Sequence, residues 1–218
     1  MNKKMVFHII GRIIQVEACL LLLPLAVSLI YKEKCWISFA ITAAVSLAVG
    51  TVMNFGSRVK SKVIYAKEGF VTVSLAWVLM SAVGALPFVI SGEIPSYVDA
   101  FFETVSGFTT TGATIIPAGG IELLPKSALF WRSFSHWVGG MGILVFMLAI
   151  TPTTEGNIIF LMRAEVPGPQ KGKLVPKLRD SSIILYVIYL VLTLAQIVAL
   201  LCTGVPFFDC LVNSFATM

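Results

Sequence analysis

Apolar residues gather in five blocks long enough to cross a bilayer, about 20 residues at a 1.5 Å rise. They are 13–31, 36–55, 69–91, 130–151 and 183–203. Between the third and fourth blocks the pattern changes. Residues 96–106 read as a helix too short to span. It runs into a polar stretch, Ser106-Gly107-Phe108-Thr109-Thr110-Thr111-Gly112-Ala113-Thr114. A backbone that leaves helical form inside hydrocarbon needs protein or water around it, because each unsatisfied N–H or C=O there is costly. Helix, half-helix, threonine-rich loop, helix is the order in which cation filters present carbonyl oxygens to a dehydrated ion. The loop points to ion conduction.

Composition strengthens the membrane reading. Hydrophobic residues make up 57% of the chain and charged residues 12%, with a mean hydropathy of +0.92. Soluble domains carry about a quarter charged residues, so the chain is an all-α polytopic membrane protein in contact with lipid. Cys19, Cys35, Cys202 and Cys210 show no C-x-x-C spacing. They predict neither a disulfide framework nor a metal site. Lys3 and Lys4 precede a long apolar run that contains Pro24 and lacks a small-residue cleavage site, so the first block reads as a retained span rather than a signal peptide.

The net charge of +5 reads as topology and not as a nucleic-acid surface. If segment 92–126 enters and leaves on one side, and the N-terminus is cytoplasmic, most cations share one face. Lys3, Lys4, Arg12, Arg58, Lys60, Lys62, Lys67, Arg163, Lys171, Lys173, Lys177 and Arg179 lie inside, against Lys32, Lys34, Lys126 and Arg132 outside. That asymmetry follows the positive-inside rule. A full span at 96–106 would invert everything after it and put the basic 163–179 stretch outside.

The chain also echoes itself. Pro95-Ser96-Tyr97-Val98-Asp99-Ala100-Phe101-Phe102 returns as Val205-Pro206-Phe207-Phe208-Asp209-Cys210, with Asp99 and Asp209 in register and Thr104 matched to Ser214. Each copy follows a glycine turn, Gly92 or Gly204. The expected organisation is two leading helices (1–57), a first pore unit (58–151) with its filter at 109–114, a cytoplasmic linker (152–180) and the start of a second unit (181–218). On this reading the 218 residues are the N-terminal portion of a longer protein.

Several polar residues are candidates for chemistry. Asp99 and Glu103, one helical turn apart, are expected toward the outer mouth, where acids concentrate cations; Asp99 equally fits a dipole-compensating acid of the first turn. Gly139, Gly140 and Gly142 predict close helix packing or pore lining. Glu17 is an intramembrane acid and so a functional candidate. Arg132 is expected at the interface or on Glu122, and His136 as a packing residue. With two distant histidines and no carboxylate pair at metal-ligand spacing, a membrane enzyme is a poor fit. A non-conducting assembly subunit, with the threonine loop as a packed turn, is the stronger rival.

Gly107-Phe108-Thr109-Thr110-Thr111-Gly112-Ala113-Thr114, followed by Trp131-Arg132-Ser133 and His136-Trp137-Val138-Gly139-Gly140-Met141-Gly142-Ile143, resembles the Trk-type potassium uptake transporters of the Trk/Ktr/HKT superfamily. The resemblance covers nearly the whole chain. It implies four pore units in one polypeptide around a single pore. It also implies a homodimer of the full-length protein in the cell's inner membrane, joined by a cytosolic nucleotide-binding regulatory ring. Thr110, Thr111, Gly112, Ala113 and Thr114 then form the filter strand, and K⁺ is the transported ion, held by the carbonyls of Thr110, Thr111 and Gly112, with no cofactor. Uptake would run down the electrochemical gradient, with or without coupled H⁺ or Na⁺.

Overall fold

Two bent rods and two short helices organise the chain. The computed structural model describes residues 3–56, 66–142 and 178–218. Among the described residues the regular elements are helices: α1 (Lys3–Leu20), α2 (Leu22–Ile30), α3 (Trp36–Gly56), α4 (Ala66–Gly84), α5 (Leu86–Ser91), α6 (Tyr97–Phe108), α7 (Lys126–Met141), α8 (Leu178–Cys202) and α9 (Phe207–Thr217), with a 3-10 turn at Ile121–Leu123. Four helical stretches there are long and apolar enough to cross a membrane: Lys3–Ile30, Trp36–Gly56, Glu68–Ser91 and Ile183–Cys202. The first begins ten residues before the apolar block does, because Lys3–Arg12 continue the helix beyond it. The fourth apolar block starts earlier than its hydropathy suggests, at Lys126. Residues 143–151 of that block, and the expected linker up to 177, lie outside the described residues.

Both bends have a proline cause. Pro24 has no N–H to offer the carbonyl one turn back, so α1 and α2 meet at Leu21 without merging. Pro87 does the same between α4 and α5, at Ala85. The Gly84 carbonyl at that bend is taken by the indole N–H of the fully buried Trp131, at 2.9 Å.

The leading rod and α3 form a hairpin closed by small residues. At the crossing a Cβ on Gly50 would lie 2.7 Å from the Gly11 carbonyl oxygen, so the backbones touch. Beside it, Gln15 donates to Thr51 Oγ1 at 3.1 Å and accepts from Asn54 at 2.8 Å. Close backbone approach and interhelical hydrogen bonds replace the hydrophobic drive that is missing between helices in lipid.

At one end of the bundle four loops meet. The Cys35 thiol approaches Glu93 at 3.9 Å, Glu33 receives the first N–H groups of α7, and Tyr31 packs edge-on against Phe208 with ring centroids 5.4 Å apart. Burial pushes the Cys35 thiol above its ordinary range, and the Glu93 and Glu33 carboxylates add to this. The chain therefore leaves this end at Glu93 and is back at it by Lys126, having made α6 and a loop between.

The echo in the sequence is an echo in structure. Asp99 and Asp209 each occupy the third position of their helix, after a left-handed glycine at φ +83°, Gly92 or Gly204. Thr104 and Ser214 are both buried.

Gly50→Leu should force the hairpin apart at a backbone contact that cannot yield. Overpacking of this kind costs about 1–3 kcal/mol. The expected outcome is a lower thermal midpoint of the detergent-solubilised protein, while Gly56→Ala, where an added Cβ meets nothing within 4 Å, leaves the midpoint unchanged.

Candidate ion filter

The site is built around α6. Ser96, in extended conformation (φ −78°, ψ 120°), caps its start by accepting the Asp99 N–H at 3.4 Å. Asp99 itself sits in the first turn, where an acid faces the positive end of the helix dipole. The helix runs on to Phe108, two residues beyond the expected 106, so Gly107 and Phe108 belong to helix and not to loop.

Its end explains the turn into the threonine strand. Thr111 N–H bonds to Ser106 O at 3.0 Å and Thr110 N–H to Gly107 O at 2.9 Å. This pair of bonds is a Schellman cap, which needs a left-handed residue at the position Thr110 occupies. Thr110 accordingly has φ +55°, a conformation a β-branched residue seldom takes. Gly112 follows at φ +74°, and a Cβ there would meet nothing within 4 Å. The need for glycine at 112 is conformational, since there is no crowding.

From Thr109 to Thr114 the strand is exposed on one side and tied down on the other. Thr109 Oγ1 bonds to Val105 O at 2.7 Å and pairs with the Thr111 hydroxyl at 2.8 Å, and the Thr110 hydroxyl turns back on the Thr109 carbonyl at 2.7 Å. The Ala113 carbonyl accepts the Ser106 hydroxyl at 2.6 Å, so it points at α6. No donor among the described residues reaches the carbonyls of Thr110, Thr111 or Gly112.

Glu103 lies behind this strand and not at an exposed mouth. It is 2% exposed. Its carboxylate accepts the Thr114 hydroxyl at 3.0 and 2.9 Å, the Ile115 N–H at 3.1 Å and the Arg132 Nε–H at 2.5 Å. Arg132, expected at the interface or on Glu122, turns inward to make this pair, with 12% of its side chain exposed. Nothing local in the sequence announces these partners, which lie 11, 12 and 29 positions from Glu103. Ser106, the first residue of the polar stretch, likewise shows no sign in the sequence of its bond to the Ala113 carbonyl.

One face of α7 lies along α6. Below Arg132, Ser135 Oγ fills the space where Gly107 lacks a Cβ, and below that Gly139 sits directly on the Phe108 carbonyl. Residues 132, 135 and 139 recur at helical spacing, and they meet 103, 107 and 108 in the same order, so α6 and α7 run in the same direction. Gly140 faces the Tyr189 hydroxyl, 2.6 Å from its would-be Cβ. Gly142 ends the described part of α7 at φ +74°. His136 is buried one turn beyond Arg132. Glu17 is fully buried against Gly84, and neither of its oxygens has a hydrogen-bond partner among the described residues.

A family model described as "TrkH: Cation transport protein" matches residues 37–208. The chain is 38% identical over its whole length to the Trk system potassium uptake protein TrkH of Salmonella typhimurium, covering 45% of that protein. It is 33% identical to the Trk system potassium uptake protein TrkG of Escherichia coli, over 99% of the chain and 44% of the relative. It superimposes on the crystal structure of the potassium transporter TrkH from Vibrio parahaemolyticus with a TM-score of 0.80 at 34% identity, covering 99% of this chain and 42% of that one. The chain thus spans less than half the length of the curated relatives it matches.

Arg132→Ala would leave the Glu103 carboxylate buried with its cationic partner gone. Removing one member of a buried pair costs about 3–5 kcal/mol, whereas replacing both with apolar residues is far milder. In detergent unfolding, Arg132→Ala is expected to fall well below the wild type, and Arg132→Met combined with Glu103→Leu to lie between them.

Proposed function

The chain belongs to the TrkH family of cation transport proteins, and on that premise we propose that it supplies one strand of a K⁺ filter for potassium uptake across the cell membrane. The observation that carries the reading is the row of unclaimed carbonyls at Thr110, Thr111 and Gly112 on a strand braced from behind. An ion shedding water needs oxygens that are fixed in place and not already bonded. Here the fixing is done by side chains on the far side, Ser106 on Ala113 and Glu103 on Thr114 and Ile115. The oxygens that the brace does not use are left for the ion.

The half-helix adds an electrostatic contribution. The C-terminal end of α6 carries a partial negative charge of about half an elementary unit, and the filter strand begins there, so a cation beside Thr110–Gly112 sits at its favourable end. The contacts that return the chain to the same bundle end at Lys126 support a loop that dips into the membrane and comes back. The distribution of basic residues supports a cytoplasmic N-terminus in the inner membrane. In this reading Ala113 and Thr114 hold the strand without facing the ion, Asp99 compensates the dipole of α6, and Gly139 and Gly140 allow close packing. A homodimer and a nucleotide-binding ring on the cytosolic side complete the proposed assembly.

The test replaces the glycine of the strand. A side chain at φ +74° costs roughly 1–2 kcal/mol, so Gly112→Ser should let the strand relax to negative φ and turn its carbonyl from the axis. With the natural gene in a bacterium deficient in K⁺ uptake, K⁺ preference over Na⁺ in competition uptake should fall by roughly tenfold, equivalent to about 1.4 kcal/mol. Full discrimination by Gly112→Ser would refute the filter assignment, and failure of the natural gene to restore uptake would favour a non-conducting subunit.

A further inference from the structure

We propose that Glu33, in the loop between the two leading helices, is a positioning residue for the filter, acting through the first turn of α7. This rests on the filter reading given above and assigns a task to a hairpin that supplies none of the strand's own atoms.

A helix exposes four unpaired N–H groups at its start. α6 has its own cap in Ser96, but α7 begins after Pro125, whose side chain has no acceptor, and it has no side-chain cap from its own segment. Glu33 fills that role from 93 positions away. Its Oε1 accepts the Lys126 N–H at 2.6 Å, and its Oε2 accepts the Ser127 N–H at 3.0 Å and the Ser127 hydroxyl at 2.5 Å. Both oxygens are thus used on one helix end, and a negative group there also faces the positive end of the helix dipole. Ser127 is fully buried beneath the half-buried Glu33, so at that residue the carboxylate and not bulk water meets the free N–H and hydroxyl.

What lies further along α7 makes the contact matter. Arg132 is six residues on, about 9 Å along the axis, and its guanidinium holds Glu103, which holds Thr114 and Ile115. Four links join the leading hairpin to the filter: Glu33, the first turn of α7, Arg132, Glu103. The loop is itself held in a fixed shape. Lys32 has φ +54°, the Glu33 N–H bonds to Ser28 O at 2.9 Å, and the Ser28 hydroxyl bonds to Glu33 O at 3.3 Å. A second contact from the same helix end, Lys126 Nζ to Asp209 at 3.6 Å, is more than two-fifths exposed at both partners and so adds little.

The experiment compares the natural full-length protein with Glu33→Ala and Ser127→Ala in the K⁺-deficient bacterium, scoring membrane content, K⁺ uptake and Na⁺ competition together. At wild-type membrane content, Glu33→Ala should lower K⁺-over-Na⁺ preference by roughly threefold or more, within the range by which residues along a coupled network change a distant site. Ser127→Ala, which keeps both backbone bonds to Glu33, should lower it by a smaller amount. A Glu33→Ala protein with unchanged preference overturns the proposal. So does one in which uptake of both ions falls together, which is the mark of a merely structural contact. If Glu33→Ala does not reach the membrane, Ser127→Ala decides: reduced preference supports the proposal and unchanged preference overturns it. A natural protein that takes up K⁺ and Na⁺ alike refutes the filter reading, and this proposal with it, whereas selective wild type beside unaffected variants refutes this proposal alone.

Discussion

One carboxylate organises the site. Glu103 is buried behind the strand and gathers a hydroxyl, a backbone N–H and a guanidinium. A buried acid without donors is expensive, and one with a full set is rigid, because no rotation of any partner improves on the arrangement. The strand that follows α6 has few bonds of its own to hold it, with Thr110 and Gly112 both at positive φ. Its shape depends on being anchored from outside. The hydroxyl of Ser106 anchors it at Ala113 and Glu103 anchors it at Thr114 and Ile115, while no donor among the described residues takes the carbonyls of Thr110, Thr111 or Gly112.

The rest of the described structure serves that anchor. Arg132 reaches Glu103 only because α7 lies against α6, and it lies there because Gly107 and Gly139 let the backbones come within contact. Trp131 on the same helix closes the proline bend of the preceding rod through Gly84. The leading hairpin holds the start of α7 through Glu33. In lipid, apolar burial does little to choose one packing over another, so small residues and satisfied polar contacts carry the specificity. This chain uses both where α1 crosses α3 and where α6 meets α7.

How much of this could be read in advance depends on the range of the interaction. The bends at Pro24 and Pro87, the cap at Ser96 and the glycine turns at Gly92 and Gly204 follow from neighbours a few residues apart. The threonine–glycine stretch stood out because its polarity contradicts its apolar surroundings. Along the chain Glu103 reads as an acid on a short helix, and its spacing from Asp99 suggests a shared exposed face. In the fold the two separate: Asp99 remains at the helix start, and Glu103 is buried between α6, α7 and the strand. Arg132 and Glu33 carried no local sign of their partners.

The sequence by itself determined the helical, membrane-embedded class, the short helix with its threonine–glycine strand, the repeat that pairs Asp99 with Asp209, and membership in the TrkH family. These rest on hydropathy, proline and glycine geometry and motif spacing, which act along the chain. Only the tertiary structure decided that Ala113 turns its carbonyl inward, that Glu103 braces the strand with Arg132, and that a loop 93 positions away caps α7. The reason is physical: a buried charge or helix end accepts whichever donor or acceptor the packed helices bring within 3 Å or so, and no pattern along the chain encodes that meeting.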